Sequence, residues 1–195
     1  MGRKSGLDKA AAEVTQRQEQ VAKWATEAET ARAELADLES RAGGEVLDDE
    51  TSAERLTASL TALRSRVDVA ERAASAAASR LNDARRSVLQ VRAEYLRNEA
   101  RTLRAEADQR QAKTDRLLAE LSEWEGGARY IPWEPTERDV LARGPQEFTV
   151  PKTQAMRNRA AALDRQAGDL EQQAAQDTAS VERNAARVLA TVTTG

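Results

Sequence analysis

The chain has 195 residues, of which 32% are charged and 3% aromatic, and its net charge is −3. That balance excludes a thick aromatic core and a global basic field for nucleic acid, and it points to long helices packed in thin layers. With neither cysteine nor histidine present, disulfides, thiol nucleophiles, imidazole bases and Cys/His metal sites are excluded as well.

The opening residues, Met1 to Asp8, lead into no apolar run, so a secretion signal is not expected. No stretch approaches the roughly 20 apolar residues of a membrane span. The expected location is the cytoplasm, or a virion or other assembly formed there. The Ala/Arg-rich usage fits a high-GC bacterial or phage source.

The first predicted helix covers about 5–42. Leu7, Val14, Val21, Ala28, Leu35 and Ala42 recur every seven residues, with Ala10, Arg17, Trp24, Ala31 and Leu38 as partner positions. Such a sustained heptad is a coiled-coil pattern. The doublet Gly43-Gly44 is read as its end.

The second helix, about 51–125, opens on Thr51-Ser52-Ala53-Glu54, a capping-box spacing. Asp48, Asp49 and Glu50 suit the positive pole of that N-terminus better than a divalent cation. Leu56, Leu60, Leu63, Val67, Ala70, Ala74, Ala77, Leu81, Ala84, Val88, Val91 and Tyr95 form a first seam. A second seam in another phase follows: Leu89, Leu96, Ala100, Leu103, Ala107, Leu117, Leu121 and Trp124. The change falls near 88–96. Val88, Leu89, Val91, Tyr95 and Leu96 therefore cover a broad arc, which serves either self-association or a junction between neighbouring helices.

The segment 126–151 holds all four prolines. Trp124, Tyr130, Trp133 and Phe148, four of the six aromatics, lie in or beside it. They form a candidate partner-binding tip or a cap over the open end of the helices. The third helix, about 152–192, follows Pro151, which is tolerated in a first helical turn.

The lengths set an expected topology. At 1.5 Å per residue the second helix is roughly 110 Å long and the others roughly 60 Å each. Folded back on short turns, they place Leu7 opposite about Arg86 and Val192 opposite about Arg85. The expected fold is thus all-α: an extended antiparallel coiled coil with one long central helix and two shorter ones whose free ends meet mid-rod. Residues 1–195 form a single elongated unit, with 126–151 as a tip subregion.

Motifs for catalysis are missing. There is no glycine-rich phosphate loop with Lys and Ser/Thr, and no G-x-S-x-G elbow. The carboxylates read as solvated or paired, as in Glu13/Arg17, Asp68/Arg72 and Glu106/Arg110 at i,i+4 spacing. No enzyme activity, cofactor or metal is expected. Arg85, Arg86 and Arg92, within a larger mid-helix set of arginines, are the candidate polyanion contacts, with interleaved acids favouring a salt-bridged face. The expected role is a structural or interaction protein: a spacer, scaffold or assembly factor, with a phage or prophage particle as one setting. A protein partner or a second copy ranks first, nucleic acid through the arginines second, and a membrane last.

Overall fold

A computed structural model describes residues 4–48, 52–127 and 152–193. Among the described residues the protein is all-α, with four helices and no strand. They are α1, Lys4–Asp48; α2, Ser52–Trp124; α3, Lys152–Ala174; and α4, Thr178–Thr193. Tyr130, Trp133, Phe148 and the acidic pair Asp49-Glu50 lie outside the described residues, as does Thr51.

The heptad of α1 is the stripe that is covered. Leu7, Ala10, Val14, Ala28 and Ala31 are buried, and Arg17, Val21, Trp24, Leu35, Leu38 and Ala42 are half-buried. The helix does not stop at Gly43-Gly44, and runs on to Asp48. Glycine permits a left-handed cap without imposing one, and Gly44 takes no positive φ. At the other doublet the expected ending is found. Gly126 and Gly127 have φ of 71° and 94°. The Gly127 amide donates to the Ser122 carbonyl at 2.8 Å, and the Gly126 amide to that of Glu123 at 3.3 Å. These two bonds are the Schellman pattern that satisfies the last carbonyls of α2.

The expected third helix is two helices. The amides of Ala175 and Gln176 close short i→i−3 bonds to Gln172 and Gln173, which end α3. Asp177 then caps α4: the Ser180 amide donates to its Oδ1 at 3.0 Å and the Ser180 hydroxyl to its Oδ2 at 2.9 Å. The seven-residue spacing survives the break, because Ala174, Val181 and Val188 are all buried.

The chain divides into two compact units, 1–91 with 172–195, and 92–171. In the first, α1 runs antiparallel to the N-terminal part of α2. Arg32 pairs with Glu71 at 2.6 Å, Arg64 with Glu39 at 2.8 Å, and Arg66 bridges Glu27 and Glu34. A Cβ on Gly6 would lie 3.9 Å from Val91 Cγ1, so the start of α1 sits within about a turn of its expected register. Trp24 shares a groove with Ala62, Val69 and Ala70, a large side chain set against smaller ones.

The free ends of the outer helices do not meet end to end in this unit. Arg85 pairs with Glu182 at 2.5 Å rather than lying opposite Val192. From Glu182, α4 continues for eleven residues to Thr193, and it touches α1. The stretch of α4 beyond Glu182 is roughly 16 Å of helix at 1.5 Å per residue. Three helices therefore share the stretch of α2 around Ala77–Val88, which accounts for the burial of Ala77, Leu81, Ala84, Val88, Val181, Ala185 and Val188.

In the second unit α2 and α3 are antiparallel. Arg97 pairs with Glu171 and Arg104 with Asp164, while Arg157 reaches Asp108 and Arg159 reaches Glu99, both at 3.1 Å. Ala93, Leu96 and Ala167 pack with Leu163 and Leu170. Continuing the Arg104–Asp164 pairing residue by residue sets Lys152 opposite Arg116. The sequence expectation set Lys152 opposite the end of α2, because it treated the connection 125–151 as a tight turn.

Candidate functional site

Three groups of residues stand out in the sequence as candidate sites, and the structure places them differently. Arg85 is engaged: its side chain is 14% exposed and paired with Glu182. Arg86 donates to the Gln176 carbonyl at 3.3 Å, so it holds the break between α3 and α4. Arg92 lies over the ring of Tyr95, 5.1 Å from its centroid, a cation–π contact. None of the three projects as a simple free charge.

The mid-helix apolar arc is largely consumed within the chain. Val88 and Leu89 are fully buried in the first unit, where Val91 is half-buried. In the second unit Leu96 is buried, and Tyr95, at 36%, keeps an exposed edge beside Arg92. Val88 and Leu89 lie about 100° apart on α2, so burying both needs cover on two of its faces.

Of the tip aromatics, Trp124 is described, and it is 92% exposed. Leu117 at 54% and Leu121 at 42% are exposed on the same helix. The second seam of α2 is thus covered through Ala100 and Ala107 and uncovered beyond them. The expectation that it continues as a packed seam to Trp124 does not hold: on the Arg104–Asp164 register, α3 begins opposite Arg116 and has no residue to set against Leu117 and beyond.

The polar side chains mostly join helices. Nine of the thirteen ion pairs among the described residues link different helices, and the other four are i,i+4 pairs, which include Glu13/Arg17, Asp68/Arg72 and Glu106/Arg110. Arg66 is held above the usual arginine pKa, first by its hydrogen bond to Glu27, then by the charges of Glu27 and Glu34. The Asp177 carboxyl is held below its usual value, first by the Ser180 amide and then by the Ser180 hydroxyl.

Two features escape a reading by periodicity. One is the Asp177 cap, although Asp177-Thr-Ala-Ser180 carries an N-cap residue at the right spacing. The other is a set of buried polar atoms in the first unit, Arg17 Nε, Asn82 Oδ1 and Arg86 Nε, which find no hydrogen-bond partner among the described residues. Only Arg17 among these is visible as a polar interruption of a heptad.

Among the described residues, no group of three or more acidic side chains converges to hold a metal ion, and no helix is long and apolar enough to cross a membrane. Comparison with protein-family models, curated proteins and solved structures finds no match to this chain.

Proposed function

We propose that the chain is a non-enzymatic coiled-coil interaction protein: a spacer, scaffold or assembly factor that presents helical surfaces to other proteins. The observation that carries this reading is the use of its charged side chains. Arginine and carboxylate groups, the main chemically capable residues of a chain without His or Cys, are spent chiefly on pairing one helix with the next. Exposed pairs of this kind add about 0–1 kcal/mol each, so their main effect is to set register and partner helix. Three of the large apolar residues that remain exposed, Leu117, Leu121 and Trp124, lie on α2 near its C-terminal end. The Ala/Glu/Arg-rich composition suits a part of a phage or prophage particle.

Affinity capture from the source cell with the full chain tests the reading. It predicts a protein complex of fixed stoichiometry that resists nuclease. Tight binding of duplex or single-stranded nucleic acid at low salt, falling steeply as salt rises, contradicts it.

A further inference from the structure

We propose that Leu117, Leu121 and Trp124 form a docking stripe for a second copy of this chain, the two α2 ends packing antiparallel. The proposal rests on the interaction-protein reading and deepens it by naming the surface and the partner.

The stripe continues an interface that already exists. In the second unit Leu96, Ala100 and Ala107 are buried against α3. Counting on from Ala107 by threes and fours, through Arg110 and Thr114, reaches Leu117, Leu121 and Trp124. These residues keep the heptad phase of a seam that calls for a facing helix, yet α3 starts too late to cover them. Exposed apolar residues in such a row mark an interaction surface.

The spacing is self-complementary. An antiparallel second copy centred near Ala119 sets Leu117 against Leu121 of the other copy, and Leu121 against its Leu117. Trp124 then meets Thr114, which is small and exposed, giving the large-to-small layering that fills space. Charge favours the same sense. Lys113 and Arg116 precede the centre, and Glu120 and Glu123 follow it. Antiparallel packing brings the basic half of one copy beside the acidic half of the other, whereas a parallel pair stacks like on like. Three side chains make a stripe smaller than the roughly 800 Å² per partner of a stable interface, so a weak, reversible dimer is expected, formed only in the high-concentration range.

Sedimentation equilibrium of the full chain across this range is the test. The expected result is a reversible dimer that is lost in L117E/L121E without loss of helical circular dichroism, since both side chains are exposed in the single chain. The chain has no cysteine, so Leu118→Cys, next to the proposed centre, provides an independent probe. It should cross-link copies on oxidation, while Val69→Cys, exposed on a different part of α2, should not. A monomer at every concentration overturns the proposal, whether the stripe is covered by the chain itself or by another protein. So does a dimer that L117E/L121E leaves intact. Either failure leaves the affinity-capture test of the interaction-protein reading standing.

Discussion

Small side chains decide how closely these helices approach. Ala31, Ala93, Ala100, Ala107, Ala160 and Ala167 are all fully buried, so the seams have little room for additional methylene groups. Ala100→Leu inserts three carbons at such a position and should cost about 1–3 kcal/mol, read as a lower urea midpoint. Asp177 acts by charge and hydrogen bonding instead. Its carboxyl is held below the ordinary value of about 3.9 by Ser180. The stability it contributes is therefore present above that value and lost as pH falls through the lower folded value. Asp177→Asn keeps a competent cap and should melt like the parent at neutral pH, but it should lack this acid-dependent step. Asp177→Ala should melt lower at neutral pH already. Thermal melts between pH 2 and 7 separate the three proteins.

Element boundaries follow from whether a residue imposes a conformation or only tolerates one. Gly44 lies inside α1 with open space where a side chain would begin, and Gly126 lies at the end of α2 with φ of 71°. Gly44→Ala should thus stabilise the protein by about 0.5–1 kcal/mol. Gly126→Ala should destabilise it by roughly 1–2 kcal/mol, because the left-handed conformation is strained for an L side chain. Chemical denaturation of the two variants measures the opposite signs. The heptad of α1 was legible residue by residue because each covered position repeats at a fixed interval. So was the start of α2 at Ser52, and its end at Gly126-Gly127. The extension of α1 past Gly43-Gly44 was not legible, since the same dipeptide suits both a helix interior and a cap. The break before α4 was hidden by the unbroken spacing of Ala174, Val181 and Val188, although Asp177 and Ser180 carried its signal.

At the scale of the molecule, what decides the arrangement is register, and register is the least local property. It depends on which arginine meets which carboxylate across helices distant in sequence, as with Arg85 and Glu182 or Arg104 and Asp164. Periodicity in one helix constrains its face but not its slide along a neighbour. The candidate sites inherit that limit. Arg85 and Arg86 look like a basic collar in the sequence, but the slide of α4 along α2 brings Glu182 and the Gln176 carbonyl to them. Val88 and Leu89 look like an open arc, yet both are fully buried. The exposed stripe at the end of α2 is the counterpart, since a later start for α3 uncovers Leu117 and its neighbours.

The central claim is that α4 runs alongside α1 on α2 instead of stopping against its end. Because the chain lacks cysteine, paired substitutions test this directly by cross-linking with a short bismaleimide in the full chain. The arrangement predicts that Arg85→Cys with Glu182→Cys is readily bridged within one chain, while Arg85→Cys with Val192→Cys is not. The reverse pattern would contradict it, placing the ends of the two outer helices against each other.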